Sequence, residues 1–227
     1  ASQGFDWIIG LSSFEIDETN YRSDDGAYGD PFDGYDTFYS TSSFSSDFSS
    51  KSKSIFGSVG LRLDNNFILS FGARWEDWEA NYKDSNQESF KPSDNMNGGK
   101  ISLSNNQSEN TTFFASVAKG YKQGGFNLGT GLNNSEFNNS INYDPESLIN
   151  YEVGINKLLP SADGYLDLVF FYSDRKDQQV LISTQVDPQD PNTFLYLTRN
   201  AAQGRNYSLE LSFEGKISEN LSAFADL

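Results

Sequence analysis

From Gly204 to Ile217 the sequence reads GRNYSLELSFEGKI, and its side chains alternate in character without a slip. Tyr207, Leu209, Leu211, Phe213 and Ile217 share one parity, interrupted only by Gly215. Asn206, Ser208, Glu210, Ser212, Glu214 and Lys216 share the other. A period of two defines a strand with one apolar face and one polar face. Parity does not fix which face points into the molecule. Apolar side inward gives a soluble sandwich; apolar side outward gives a barrel in a membrane.

The same test finds about nine strands along the chain. GFDWIIGLSSFEID opens it, followed by SIFGSVGLRL, FILSFGARWEDWEANY, GKISLSNN, TTFFASVAKGY, NYEVGINKLL, GYLDLVFFYSDRKDQQV, the segment above, and LSAFADL. No useful length of sequence shows the 3.6-residue helical period. The fold class expected is therefore all-β and antiparallel. Mean hydropathy is -0.58, and no run approaches the roughly 18 apolar residues of a spanning helix. Such scales miss a transmembrane strand, because only every second residue meets lipid.

The connections alternate in length. Those around 63–66, 105–110, 158–164 and 217–220 are tight, whereas 19–50, 83–97, 122–144 and 181–198 are long and rich in Ser, Asn, Asp and Gly. Successive links between antiparallel neighbours fall at opposite ends of a sheet. All long loops then gather at one end, as in an up-and-down transmembrane β-barrel with short inner turns and long external loops. Residues 1–227 are expected to be part of one such domain.

The apolar parity carries aromatic residues near the long-loop ends: Trp75, Tyr121, Tyr151, Tyr172 and Tyr207. Phe67 to Trp75, Phe113 to Tyr121 and Tyr151 to Leu159 each span eight positions. At ~3.3 Å per residue and a tilt of about 40°, that is roughly 20 Å of height, close to the lipid-facing band of a barrel. These five residues are expected to form an aromatic girdle, with apolar ring bodies in lipid and polar ends toward water. The first two strands depart from this, with Ser13, Glu15, Lys51 and Lys53 at the corresponding places. The polar parity is mostly Ser, Gly and Asn with scattered charges, which suits a hydrated lumen.

Charge and composition remove several functions. Thirty-two Asp and Glu face 16 Lys and Arg, a net charge of -16, and no basic stripe offsets it for nucleic acid. Histidine and cysteine are both absent, which eliminates a Ser–His or Cys–His nucleophile. Acidic pairs such as Glu76 and Glu79 are inevitable among so many acids and need a cleft before they can do acid–base work. The chain is not expected to be an enzyme or to hold a cofactor.

Two loop stretches offer side chains that could meet a ligand, though an ordinary loop entry explains the first equally. AKGYKQGGFN, Ala118 to Asn127, brings a strand to its aromatic end and then a Gly124–Gly125 pair that permits a sharp change of direction. DDGAYGDPFDGYD offers Asp24, Asp25, Asp30, Asp33 and Asp36 as oxygen ligands for calcium. Its spacing is not that of the twelve-residue calcium loop, and a solvated loop explains it as well.

Three segments together, FFASVAKGYKQGGFN, YDPESLINYEVGINK and RNAAQGRNYSLELSF, resemble successive barrel strands of TonB-dependent outer-membrane receptors. The resemblance is strongest from about Gly98 to Leu227, aided earlier by LSFGARWEDWEANY; Ser208 stands where the family usually has Gly before its Leu–Glu pair. It implies a larger barrel of which this is a fragment of about nine strands, with a plug domain absent. It further implies a bacterial outer-membrane location, contact with outer-membrane lipid, and coupling to the TonB energy complex through the missing plug. The implied function is energy-coupled uptake of a scarce nutrient: a ferric siderophore or similar chelate, cobalamin, or an oligosaccharide. Haem would find no imidazole here. Arg74, Glu76, Trp78, Lys122, Gln123, Phe126 and Asn127 are the expected ligand-facing residues, on the polar parity near the long loops or just beyond a strand end. The rival reading keeps the strands and turns the apolar parity inward, as a secreted or surface β-sandwich that binds glycans or mediates adhesion.

Overall fold

The computed structural model describes residues 4–29, 37–63, 66–128, 141–185, 189, 194–200 and 203–227, with side chains outside 27–29 and 37–40. The strands, in chain order, are β1 (Phe5–Gly29), β2 (Thr37–Arg62), β3 (Phe67–Asp84), β4 (Ser89–Phe90), β5 (Ser93–Ser108), β6 (Thr111–Lys122) and β7 (Gly125–Phe126). They continue with β8 (Asn142–Tyr143), β9 (Glu146–Leu159), β10 (Gly164–Lys176), β11 (Gln179–Gln185), β12 (Phe194–Asn200), β13 (Gln203–Ser218) and β14 (Leu221–Asp226). A 3-10 turn at Pro160–Ala162 joins β9 to β10.

Nine of these strands form one open meander in the order β1-β2-β3-β5-β6-β9-β10-β13-β14, with β4 beside β3. Every neighbouring pair is antiparallel. The pairing runs without a register break over β9, β10 and β13. A strand that buries one face must keep its register, since a slip of one residue would exchange all its apolar and polar side chains.

Exposure settles the orientation that parity left open. Leu209, Val153 and Phe170 are 59%, 53% and 47% exposed. Trp7, Ile9, Leu11, Ile55, Ile101 and Phe113 are exposed as well. No second layer of strands covers this face among the described residues. The sandwich reading is therefore set aside: a sandwich needs those side chains interdigitated with a facing sheet. The apolar side of a single sheet points outward, where only hydrocarbon removes its surface from water.

Strand runs into each of the stretches read from sequence as long connections, 83–97 included, where β3 reaches Asp84 and β5 begins at Ser93. Residues 19–29 and 37–50, left outside the alternating strands, belong to a continuous β1–β2 ladder that runs from Phe5↔Leu61 to Gly29↔Thr37. The outer part of β2 is dominated by serine, so no sustained alternation announces it. Small hairpins also occupy two other long connections. β7 pairs with β8, and β11 with β12.

The buried apolar side chains among the described residues lie at the long-connection end and form two small clusters. Trp78, Ala80 and Met96 pack with Phe48 and Tyr121. Leu195 and Leu197 pack with Ile141 and Ile182. The rest of the sheet has no core of its own, as expected of a barrel wall.

Candidate functional site

The polar face carries a compact hydrogen-bonded set near the long-connection end. Arg74 and Glu76 lie two residues apart on β3, and so on the same face. Arg74 donates from Nε and Nη2 to Glu76 Oε2, at 3.0 and 2.9 Å. The Tyr121 hydroxyl donates to the same oxygen at 2.7 Å and accepts from Arg74 Nε at 3.0 Å. Ser52, on β2, donates to Glu76 Oε1. The Arg74 guanidinium also sits 5.7 Å from the centre of the Phe56 ring, within cation–π range. A charge-assisted set of this kind holds its members in one geometry.

Tyr121 is a correction to the girdle reading. A straight β6 would send it outward with Phe113, Ala115 and Val117. The β5–β6 ladder ends at Gly99↔Lys119, and beyond it β6 is held only by β9. Lys119 and Gly120 are both exposed, and Tyr121 turns to the polar face. Gly98 makes room: a Cβ there would stand 3.2 Å from the Tyr121 ring. The other four aromatics stay on the outward parity. Tyr151, Tyr172 and Tyr207 are in register across β9, β10 and β13. The Tyr151 and Tyr172 rings lie 6.2 Å apart, and Trp75 is exposed on β3.

An open groove of about 630 Å³ lies beside Arg74 and Tyr121, lined also by Phe56, Lys100, Leu148 and Asn150. Asn150 Nδ2 donates to Glu152 Oε1 at 2.7 Å, Ser116 Oγ to Glu152 Oε2 at 3.1 Å, and Ser173 Oγ to Asn150 Oδ1 at 2.6 Å. The carboxylates nearest the groove are thus occupied by donors of their own wall.

The remaining expected ligand-facing residues do not gather at this groove. Trp78 is buried, with its indole N–H donated to Ser50 Oγ at 2.8 Å. Phe126 packs against the rings of Phe48, Tyr82 and Phe90, at 6.3, 5.3 and 5.5 Å. Asn127 is buried; its Nδ2 donates to the Thr198 carbonyl at 2.8 Å and its Oδ1 accepts from Thr198 N–H at 2.7 Å. Lys122 and Gln123 are exposed, and the Gln123 carbonyl accepts from Gln179 Nε2 at 2.8 Å. The calcium reading also changes. Asp24 and Asp25 are neighbours in a ladder, so their side chains leave on opposite faces, and Asp24 pairs with Arg22 at 2.6 Å. Asp30, Asp33 and Asp36 lie outside the described residues, among which no group of three acidic side chains could hold a metal.

Sequence reasoning missed the polar staples that join the external connections. Glu146 is buried, pairs with Arg175 at 3.0 Å and accepts from Gln179 N–H at 2.8 Å. Asn200 donates to the carbonyls of Asp144 and Asp177 and accepts from Asp144 N–H. Both residues stand in the quoted motifs, in DPESL and RNAA, as Asn127 stands in GGFN. The Gly124–Gly125 pair serves the same joint: a Cβ on Gly124 would lie 2.7 Å from Asp94 Oδ2, and one on Gly125 2.4 Å from the Tyr143 hydroxyl. Burial raises Asp94 above the usual aspartate value and the charge of Asp144 adds to this, while the Gly124 N–H opposes it. Burial and the neighbouring Asp84 carboxylate push the Tyr82 phenol up to about 12.

A family model described as TonB dependent receptor-like, beta-barrel, matches residues 1–226. Among solved structures the chain is similar to the ferric yersiniabactin uptake receptor FyuA from Yersinia pestis, with a TM-score of 0.64 and 19% identity over 98% of this chain and 31% of that one. It is similar to the copper transporter OprC, with a TM-score of 0.65 and 12% identity over 98% of this chain and 34% of that one. The siderophore receptor PiuA from Acinetobacter baumannii gives 0.60 and 17% over 99% of this chain and 35% of that one. The chain spans about a third of the length of these structures. No curated protein matches it.

Proposed function

The chain belongs to the TonB-dependent receptor β-barrel family, and we propose that it forms part of the wall of an outer-membrane receptor that takes up a scarce nutrient as a ferric chelate. Proteins of this family are bacterial outer-membrane barrels and not enzymes. The observation that carries the proposal is the two-sidedness of the sheet. One face is exposed and apolar, while the other holds the Arg74–Glu76–Tyr121 set and an open groove. Such a wall pairs a lipid-facing exterior with a wet interior shaped to receive a solute. The names of two similar structures, a ferric yersiniabactin receptor and a siderophore receptor, favour a ferric chelate over cobalamin or an oligosaccharide. Entry would be driven by the TonB complex acting on a plug in the barrel.

The test is accumulation of ⁵⁵Fe chelates by bacteria that carry the full-length receptor as their sole outer-membrane route for iron. Accumulation that requires the receptor and stops on adding a protonophore is expected. Equal accumulation with and without the receptor overturns the reading.

A further inference from the structure

We propose that the outward face of β1–β3 above Trp75 is a docking surface for a glycolipid, whose phosphate-bearing sugars it meets at a height that phospholipid headgroups do not reach. This goes beyond the uptake reading and does not depend on it.

The apolar band ends at one row of the sheet. Leu11, Ile55 and Trp75 are ladder partners across β1, β2 and β3, and all three are exposed on the outward face. Beyond that row the same parity turns charged. The β2–β3 ladder sets Lys53 against Asp77, Lys51 against Glu79, and Asp47 against Lys83. On β1 the same face adds Glu15 and Asp17. Glu15, Lys51 and Lys53 depart from the girdle pattern because they stand above the girdle.

Height decides what surrounds them. Trp75 and Lys83 are eight positions apart, roughly 20 Å of height at ~3.3 Å per residue and a tilt of about 40°. Lys51 and Glu79 stand two rows above Trp75, roughly 10 Å by the same geometry. A phospholipid headgroup layer is only about 5–8 Å thick on each side of the hydrocarbon. Most of these charges therefore rise past phospholipid headgroups, into the space that a lipid's sugars would fill.

The charges are also unspent. Lys53, Lys83, Lys91, Asp17, Asp77 and Glu79 are exposed and form no ion pair among the described residues, although the ladder puts opposite charges side by side. Lys51 comes no closer than 3.6 Å to Glu15, and Asp47 accepts from the Thr19 hydroxyl at 2.9 Å. A recess of about 440 Å³ opens among Glu15, Lys51, Glu79, Asn81 and Lys91. Ammonium, carboxylate and amide groups together suit sugar hydroxyls as well as phosphate.

The charge balance narrows the occupant. Lys51, Lys53, Lys83 and Lys91 face Glu15, Asp17, Asp47, Asp77 and Glu79 (+4, -5), a sum of -1. A simple anionic bilayer is drawn to basic clusters, and this face is not one. It matches a lipid whose own surface alternates in sign, with sugar phosphates and divalent cations held between them. The ammonium groups reach the phosphates, and the carboxylates reach the divalent cations. The face continues the lipid-exposed surface below it, so the hydrocarbon chains of the same lipid cover Leu11, Ile55 and Trp75.

The experiment titrates the detergent-purified full-length receptor, in native mass spectrometry, with three probes in the presence of Mg²⁺. They are rough lipopolysaccharide, its lipid A freed of core sugars, and phosphatidylglycerol. Rough lipopolysaccharide is expected to bind best, and EDTA to weaken it. Lys51→Gln combined with Lys53→Gln should weaken that binding about tenfold. Lys51→Arg with Lys53→Arg should bind as the wild type does. Lys100→Gln removes one charge from the opposite face and should change nothing. Lipid A or phosphatidylglycerol bound as well as rough lipopolysaccharide, indifference to EDTA or to the double Gln variant, or an equal loss with Lys100→Gln each overturns the proposal. Receptor-dependent iron accumulation is measured separately, so failure here leaves the uptake reading intact.

Discussion

Asn127 holds Thr198 as an adjacent strand would, donating to its carbonyl at 2.8 Å and accepting from its N–H at 2.7 Å across 71 residues of sequence. One side-chain amide thereby stands in for a stretch of ladder and fixes β12 beside β7. Asn127→Ala would leave two backbone groups beside a buried site without partners, at about 1–3 kcal/mol each. Amide hydrogen exchange in 194–200 is expected to speed up, with β9, β10 and β13 unchanged.

The Arg74–Glu76–Tyr121 set predicts an ordered mutational series. Tyr121→Phe removes one hydroxyl and should cost about 1 kcal/mol. Glu76→Ala removes the acceptor shared by Arg74, Tyr121 and Ser52, and should cost about 2–3 kcal/mol because the guanidinium loses its partner. Thermal unfolding of the full-length receptor in detergent, followed by loss of β-sheet circular dichroism, checks the order.

Asp94 makes the external joint sensitive to acid. Its folded-state carboxyl titrates above the ordinary value of 3.8, so the fold favours the neutral form. Stability is fully present below 3.8 and falls as pH rises through the window up to the raised value. Asp94→Asn keeps an acceptor for Gly124 and removes the charge facing Asp144. Exchange at 124–126 should slow in the wild type as pH is lowered through the raised Asp94 value toward 3.8, after correction for intrinsic rates, and show no such change in the variant.

At the opposite end, Lys216 Nζ lies 2.6 Å from Asp163 Oδ2 and holds that carboxyl below its usual range. This contribution is present above the ordinary aspartate value and is lost as pH falls through the lowered one. Lys216→Ala should move the Asp163 midpoint upward in a side-chain carboxyl NMR titration. Both groups are exposed, so thermal stability should hardly change.

The outward face gives a lipid-dependent prediction. Val153→Arg places a guanidinium in hydrocarbon one row inside Tyr151, at a cost of about 2 kcal/mol, whereas Val153→Leu is neutral. Folding equilibria of the full-length receptor in lipid vesicles should separate the two.

Much of the wall could be read from residues alone, because lipid on one side and water on the other impose period two on β3, β9, β10 and β13. The outer part of β1 and β2 could not be read: its pairing, from Thr19↔Asp47 to Gly29↔Thr37, is rich in Ser and Asp and shows no sustained alternation. Tyr121 departs from its parity because its turn depends on where the β5–β6 pairing ends, at Gly99↔Lys119, a fact about a neighbouring strand. At the site, parity found Arg74 and Glu76, both on one straight strand. It could not find the joint of Asn127, Glu146 and Asn200, whose partners lie 71, 33 and 56 residues away and follow no period.

The unbroken register of β10 against β9 and β13 has an evolutionary corollary. A single inserted residue in β10 would invert every side chain beyond it, greasing the channel and wetting the bilayer contact. The hairpins β7–β8 and β11–β12 stand clear of hydrocarbon and obey no such odd–even rule. Insertions and deletions among descendants should therefore collect at one rim, where a receptor can acquire a new diet while its staves keep their count.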